Sequence, residues 1–242
     1  MSIFSLGAML VAALVAIVVI ATTGDNAVFM PGLLQGAWLT VRIAAAGCVL
    51  AVALATIAAL ARLYGPRPIR WLAIAYVEFF RGTSALVQLF WLFFVLPAFG
   101  IFLEPFTVAV LGLGLNVGAY GAEVVRGGIQ GVQRGQWEAT TALNMTRVQA
   151  LRRIILPQAL VGMIPPWGNQ FIDLLKTTSL VSLITMSDLT FMAKIMNDTS
   201  MQTIPIFTMA LLMYLVMSLS ITIGMRLLER KALRGLARGR AH

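Results

Sequence analysis

Cysteine and histidine are nearly absent from this chain of 242 residues, which contains one of each, Cys48 and His242. A single cysteine cannot form an internal disulfide, and no group of residues has the spacing of a metal site. The phosphate-binding pattern Gly-x-x-x-x-Gly-Lys-Ser/Thr is also missing, so the sequence excludes ATP hydrolysis by this chain itself. Because no Ser/His or Cys/His pair is present either, we expect no catalytic residue, no metal and no cofactor in this chain.

Charged residues are also scarce: they make up 11% of the chain, whereas 60% is hydrophobic. A soluble domain carries roughly twice that share of charge. The net charge of +9 would suggest nucleic-acid binding in a soluble protein, but here the basic residues stand in short connections between apolar runs. That pattern is typical of a membrane protein, and we expect no nucleic-acid partner. The sequence predicts an all-α, polytopic membrane protein with about six spans, near residues 3–21, 33–63, 71–99, 106–125, 153–175 and 205–227.

The distribution of basic residues predicts the orientation of these spans. Fourteen of the 18 lysines and arginines fall within residues 62–70, 126–153 and 226–240, all on one side of a six-span arrangement. By the positive-inside rule this side is cytoplasmic, so both termini are expected there, with residues 230–242 as a basic, lipid-contacting tail. The first apolar run could instead be a cleaved signal peptide. It lacks a basic start and a small-x-small cleavage site, which favours a retained helix.

A polar, arginine-bearing island interrupts the apolar sequence at residues 138–157, EATTALNMTRVQALRRIILP. Residues 138–143 favour a short helix, and Asn144 suits a left-handed helix end. Thr146 and Gln149 have the spacing of a capping box, which would start a second helix. The island therefore predicts a helix–turn–helix loop at the membrane surface. It is either a docking point for a soluble partner or an ordinary cytoplasmic loop.

One set of polar residues recurs at helical spacing inside a predicted span. Asn116, Tyr120 and Glu123 stand at i, i+4 and i+7 and share a helix face. Such a stripe is costly in lipid unless it faces a cavity or a partner group. It indicates either a substrate pathway or hydrogen bonds between helices, and Glu123 could simply pair with Arg126.

A second set, Asn169, Asp173 and Lys176, has the same spacing in the next span. It follows Pro165 and Pro166, which predict a kink or a break because they remove two backbone donors. An acidic and a basic group on one face suit a zwitterionic solute. Alternatively, Asp173 and Lys176 pair with each other and hold the helix in place.

Two further local features are expected at the ends of spans. Glu78 and Arg81 are three residues apart, and we expect them to form a salt bridge at the inner surface. Asp188 is placed to cap a short amphipathic helix that extends to Met196.

The polar island resembles the EAA loop of bacterial ABC-importer permeases, whose pattern is Glu-Ala-Ala, three residues, Gly, nine residues and Ile-x-Leu-Pro. Five of its seven fixed positions match at the same spacing: Glu138, Ala139, Ile154, Leu156 and Pro157. Thr140 replaces the usual Ala, and Asn144 replaces Gly, which Asn can do because it tolerates a left-handed turn. In the family this loop's short helix sits in a groove of the ATP-hydrolysing subunit. The resemblance thus implies an ATPase-coupling set: Gln136, Glu138, Ala139, Thr140, Asn144, Thr146, Ile154, Leu156 and Pro157.

Three longer runs resemble the polar amino acid branch of this family: EFFRGTSALVQLFW, LNVGAYGAEVVRGGIQGVQRGQWEA and PPWGNQFIDLLKTTSLVSLI. Gln133 stands where the family has proline and Thr177 where it has aspartate. The finer pattern looks most like the ectoine/hydroxyectoine-uptake branch. The resemblance implies a five-helix type I permease core at residues 31–229, with a coupling loop at 126–153 and an extra N-terminal helix at 1–30.

The resemblance also implies partners and a mechanism. In a bacterial inner membrane, two permease chains, identical or different, would work with two ATP-binding subunits that hold ATP and Mg, and with an extracytoplasmic solute-binding protein. The expected activity is uptake of a small zwitterion, a polar amino acid or an ectoine-type solute, by alternating access. Its substrate pathway is expected to include Asn116, Tyr120, Glu123, Asn169, Asp173 and Lys176. The alternative is a channel or carrier that needs no ATP, although no inverted repeat is visible.

Overall fold

The computed structural model describes residues 3–23 and 26–239, with side chains as far as Arg234. In this part of the chain every regular element is helical: α1 (Ile3–Thr22), α2 (Met30–Tyr64), α3 (Arg67–Gly82), α4 (Ala85–Phe90), α5 (Pro105–Gln130), α6 (Arg134–Ala142), α7 (Arg147–Ala150), α8 (Leu156–Thr177), α9 (Leu189–Ser200) and α10 (Thr203–Gly239). Shorter turns extend some of them: Asn26–Phe29, Trp91–Val95, Leu96–Phe99, Leu151–Ile155 and Thr178–Ile184. The end of the predicted basic tail, with Arg240 and His242, lies outside the described residues.

Four helices are long and apolar enough to cross a bilayer: α1, α2 with the turn before it, α5, and α10 as far as Arg234. Two bent helix pairs raise the number to as many as six. They are α3 with residues 85–99, bent by 105°, and residues 147–184 with α9, bent by 50°. The prediction of an all-α membrane protein with about six spans is confirmed. The last helix is longer than predicted, since it continues to Gly239.

The span predicted at residues 71–99 is not one straight helix. Its two halves meet at Thr83, whose backbone is extended (φ −118°, ψ 153°). The Gln88 amide donates to the carbonyl groups of Phe80 (3.1 Å) and Thr83 (3.3 Å), and to the Thr83 hydroxyl (2.6 Å). The carbonyl groups freed by the break are therefore satisfied within the protein, as membrane depth requires.

The two prolines in the middle of α8 do not break the helix, which runs without interruption from Leu156 to Thr177. The sequence predicted a kink or a break at this point, and of these two the break does not occur. Pro166 has no N–H, so the carbonyl of Gly162 loses its helical partner. Gly162 and Pro166 both line a cavity between α5 and α8, and a freed carbonyl beside a cavity is tolerated in a membrane protein.

The centre of the bundle is the contact between α2 and α5, which pack along much of their length. Glycines of α5 make this approach close: a Cβ at Gly121 would lie 2.5 Å from the Trp167 ring of α8 and 3.0 Å from the Ala55 Cβ of α2. Small residues allow such packing between helices in lipid, where no hydrophobic effect drives them together. This packing brings α2, α5 and α8 into mutual contact.

A buried carboxylate, Asp188, begins α9 as predicted, although the helix continues to Ser200. It accepts hydrogen bonds from the backbone N–H groups of Thr190 (3.1 Å) and Phe191 (3.0 Å) and from the Tyr214 hydroxyl (3.3 Å). The N–H of the next residue donates to the Thr40 hydroxyl (3.2 Å). These bonds join α2, α9 and α10 at the end of the bundle opposite the polar loop.

Candidate functional site

The polar loop between α5 and α8 folds as a helix, a turn and a second helix. Its first helix, α6, is followed by Asn144 in a left-handed conformation (φ 50°). Thr146 then begins α7 through a complete capping box: its hydroxyl accepts from the Gln149 N–H (3.3 Å), and the Gln149 side chain accepts from the Thr146 N–H (3.0 Å). The predicted turn and capping box are both confirmed.

One side of α6 rests on the body of the protein. Trp137 packs against an apolar cluster that includes Ile129 and Ile155. Thr140 is only 4% exposed, and its hydroxyl donates to the Trp137 carbonyl at 2.7 Å. The Gln136 side chain accepts a hydrogen bond from the Gln158 amide of α8 (3.1 Å). Of the expected coupling residues, Gln136 and Thr140 therefore hold the loop in place, because their contacts are internal.

The other side of the loop faces outward. Five of the expected coupling residues are exposed there or at the start of α8: Glu138, Ala139, Asn144, Thr146 and Pro157. Two apolar side chains that the sequence analysis did not single out stand on either side of the turn: Leu143 is 71% exposed and Val148 is 74% exposed. The sequence carried no signal for these two side chains, because their exposure depends on which way the loop faces. Ile154 and Leu156 are half-buried and belong to the base of the loop.

A cluster of charges lies where α2, α3 and α5 approach the loop. Both oxygens of the Glu123 carboxylate are bonded: Arg126 donates to one at 2.6 and 2.9 Å, and Arg62 donates to the other. A third guanidinium, that of Arg81, lies 3.9 Å away. The predicted pairing of Glu123 with Arg126 is confirmed, and three cations surrounding one carboxylate leave this site positively charged.

The expected salt bridge between Glu78 and Arg81 is wrong. Arg81 instead approaches Glu123 and lies 5.4 Å from the centre of the Tyr120 ring. Throughout the described part of the chain no ion pair includes Glu78, which is exposed. The packing of α3 on α5 brings Arg81 to a better-placed carboxylate than the one three residues away.

The other two predicted polar residues of α5, Asn116 and Tyr120, form hydrogen bonds with residues around the bend at Thr83. Asn116 donates to the Phe80 carbonyl (2.9 Å) and to the Gln88 side chain (3.2 Å). The Tyr120 hydroxyl donates to the Arg81 carbonyl at 3.4 Å. Both residues therefore make the interhelical hydrogen bonds that were one of the two interpretations. Gln88, which lies at the centre of this network, was missed because a single amide in an apolar run carries no spacing signal.

The stripe on α8 is exposed and unpaired. Asn169, Asp173 and Lys176 are all exposed, and among the described residues their side chains form no hydrogen bond or ion pair. The alternative that Asp173 and Lys176 pair with each other is therefore wrong for this structure. The two predicted stripes also face different spaces: Glu123 lines a cavity of about 520 Å³ between α5 and α8, and Asn169 lines one of about 370 Å³ between α8 and α10.

Comparison with known protein families and sequences gives a consistent result. Residues 51–234 match the family described as binding-protein-dependent transport system inner membrane component. The chain is 44% identical over 206 residues to a probable amino-acid ABC transporter permease protein, y4tF, of Sinorhizobium fredii (strain NBRC 101917 / NGR234), covering 83% of this chain and 87% of that one. It is 39% identical over 211 residues to the L-cystine transport system permease protein TcyB of Bacillus subtilis (strain 168), covering 87% and 90%.

Solved structures show the same fold. The chain aligns with a crystal structure of an amino acid ABC transporter with histidines at a TM-score of 0.81 and 34% identity, over 87% of this chain and 100% of that one. It also shares its fold with the inward-facing MetNI methionine ABC transporter, at a TM-score of 0.67 and 18% identity, over 87% of this chain and 99% of that one.

Proposed function

The chain belongs to the family of binding-protein-dependent transport system inner membrane components, and on that premise we propose that it is the permease subunit of an ATP-driven importer for a small zwitterionic solute. The related permeases named for amino acids and for L-cystine support an amino acid as the solute class. The sequence runs that resemble ectoine permeases make an ectoine-type solute the finer candidate. Amino acids and ectoine-type solutes are both zwitterions, so the same pair of opposite charges in the pathway suits either class.

The observation that carries this proposal is the outward face of the polar loop. Leu143 and Val148 expose apolar surface on the same loop as the exposed carboxylate of Glu138. Apolar side chains on a rigid, capped loop are suited to a protein partner, because burying them there removes apolar surface from water. We assign this surface to the ATP-binding subunit, one copy of which would dock on each of two permease chains at the cytoplasmic face of an inner membrane.

The internal contacts of the loop suggest how a movement of the partner reaches the spans. α6 is held by Trp137 and Thr140 and is bonded through Gln136 to Gln158 of α8. A displacement of α6 is therefore passed to α8 as a rigid movement rather than absorbed by the loop. ATP binding can shift the permease between inward- and outward-facing states only if the partner contacts differ between them.

The unpaired charges of α8 support the choice of a zwitterion. Exposed charges within a membrane span are costly unless they face a cavity or another chain. We propose that a second permease chain covers this face and that Asp173 meets the ammonium group of the solute while Lys176 meets its carboxylate. An extracytoplasmic binding protein would deliver the solute to this pathway.

The docking proposal is tested by replacing Glu138→Ala in the complex of the permease with its ATP-binding subunit, reconstituted in vesicles with the binding protein outside. Solute uptake and binding-protein-stimulated ATPase activity should both be lost, while the permease still inserts in the membrane. Glu104→Ala is the matched control, because Glu104 is an exposed carboxylate without an ion pair on the connection before α5. Uptake by the Glu138→Ala variant at the wild-type rate would refute the proposal.

The solute assignment is tested in the same vesicles. The Asp173→Asn variant should take up solute with reduced affinity or rate; if neither changes, Asp173 has only a structural role. Uptake that continues without ATP, and without an ATP-binding subunit, would instead indicate a channel or carrier. A binding screen of the secreted solute-binding protein against L-glutamine, L-cystine and ectoine would distinguish the amino acid from the ectoine-type solute.

A further inference from the structure

The start of α3 carries two cations that no carboxylate of the described residues neutralises. Arg67 and Arg70 are both exposed, and the ion pairs found in the described part of the chain all involve Glu123 and other arginines. Arg70 donates from Nε to the Arg62 carbonyl at the end of α2 (2.8 Å). That bond uses one of the five N–H donors of its guanidinium, so the others remain available to an anion.

An exposed row of side chains continues from Arg67 along α3. Trp71, Ala75 and Phe79 follow it at steps of four residues, and such a row forms one ridge on the surface of a helix. All of them are exposed, as is Leu72 beside them, whereas the opposite side of α3 packs against α2 and α5. This ridge of α3 is therefore basic where the helix starts and apolar beyond that point.

The ridge ends at an apolar cavity of about 300 Å³, which lies inside the 105° bend after α3. Phe79 forms one wall, and the remaining lining residues are Phe80, Gln88, Trp91, Leu92 and Leu115. The one polar side chain among them is already bonded: the Gln88 amide donates to the Phe80 carbonyl and the Thr83 hydroxyl, and its oxygen accepts from Asn116. The cavity is therefore suited to a hydrocarbon chain rather than to a polar ligand.

The length and order of the ridge match one leaflet of a bilayer. Arg67 and Phe79 are twelve residues apart, which corresponds to about 18 Å of α-helix. One leaflet with its headgroups is roughly 20 Å thick. Trp71 lies between the basic and the apolar parts, and tryptophan is enriched at the boundary between headgroups and acyl chains. By the positive-inside rule the basic part faces the cytoplasm, so the leaflet concerned is the inner one.

We propose that this ridge binds an anionic phospholipid of the inner leaflet, whose phosphate contacts Arg67 and Arg70 and one of whose acyl chains lies along Trp71 and Phe79. Guanidinium groups bind phosphate through paired, charge-assisted hydrogen bonds, which gives the headgroup end its affinity. A soluble protein partner would fit the arginines but not the apolar ridge and its cavity. Because Arg70 is bonded to Arg62, which pairs with Glu123, the headgroup would lie beside the charge cluster that joins α2 and α5.

The test measures quenching of Trp71 fluorescence by brominated lipids in the full-length permease, reconstituted in phosphatidylcholine vesicles. The Trp71 signal is the difference between each protein and the same protein carrying Trp71→Phe. In the wild type, we expect brominated phosphatidylglycerol to quench this signal at a lower mole fraction than brominated phosphatidylcholine. Arg67→Gln should lower the binding constant of phosphatidylglycerol relative to phosphatidylcholine about fivefold, which is the contribution of one arginine near an anionic surface.

Lys194→Gln is the matched control, since Lys194 is an exposed cation of α9 at the opposite end of the bundle, and it should leave the relative binding constant unchanged. An equal preference for phosphatidylglycerol in the wild type and in Arg67→Gln would overturn the site. Absence of Trp71 quenching by either lipid would also overturn it, because another protein chain then covers the ridge. A preference that millimolar inorganic phosphate abolishes would indicate a site for soluble phosphate instead. Since no transport is measured, none of these results bears on the proposed function.

Discussion

Replacing Glu123→Gln should destabilise the permease more than any other single removal of a carboxylate in the described chain. The substitution keeps the size of the side chain but leaves Arg62, Arg81 and Arg126 near one another without an anion. A hydrogen bond to a charged group contributes about 1.5–3 kcal/mol, whereas an exposed ion pair contributes about 0–1 kcal/mol. Because the Glu123 side chain is 23% exposed, we expect each of its two close pairs to contribute about 1–2 kcal/mol, and their loss to cost about 2–4 kcal/mol.

The assay is thermal unfolding of the purified permease in detergent, followed by intrinsic fluorescence. For a chain of this length, 1 kcal/mol corresponds to a shift of about 2–4 °C, so a loss of about 2–4 kcal/mol should lower the midpoint by roughly 4–16 °C. Glu78→Gln, an exposed carboxylate without an ion pair among the described residues, should shift the midpoint by less than about 2 °C. If the two variants unfold at the same temperature, the charge cluster does not hold α2, α3 and α5 together, and the reasoning is refuted.

Two further predictions concern the loop and the packing. Thr146→Ala should destabilise the start of α7 by about 1 kcal/mol, seen as faster amide hydrogen exchange at residues 147–150 than in a Thr141→Ala control; equal rates would count against the capping box. Gly121→Leu should prevent a monodisperse preparation, because a Cβ there already lies 2.5 Å from the Trp167 ring, whereas Gly127→Leu, with no atom within 4 Å of its Cβ, should assemble normally. Normal assembly of both glycine variants would contradict the close packing of α5.

Features that depend on a few neighbouring residues could be predicted from the sequence. The left-handed turn at Asn144, the capping box of Thr146 and the cap at Asp188 all rest on hydrogen bonds within a few residues. The lengths of the apolar runs likewise predicted the positions of the membrane-spanning helices, because the bilayer sets how many residues a span requires. The direction in which the loop faces was not predictable, and Leu143 and Val148 became evident only once their exposure was known.

Features that depend on packing between distant helices could not be predicted. Arg62 and Glu123 are 61 residues apart in the chain, and no spacing rule links them. Spacing favoured Glu78 as the partner of Arg81, but the packing of α3 on α5 supplied Glu123 instead. The two adjacent prolines predicted a kink or a break at Pro165, but α8 is unbroken there. The sharp bend lies at Thr83, where the Gln88 amide satisfies the freed carbonyl groups.

The most direct measurement of the central claim is co-purification of the ATP-binding subunit with the permease carrying Leu143→Glu. A charge introduced at this exposed apolar position should disrupt burial against a partner without disturbing the fold. The matched control is Phe102→Glu, since Phe102 is 80% exposed on the connection before α5. We expect the ATP-binding subunit to be lost from the Leu143→Glu permease and retained by the Phe102→Glu permease. Full retention by both variants would contradict docking on this loop.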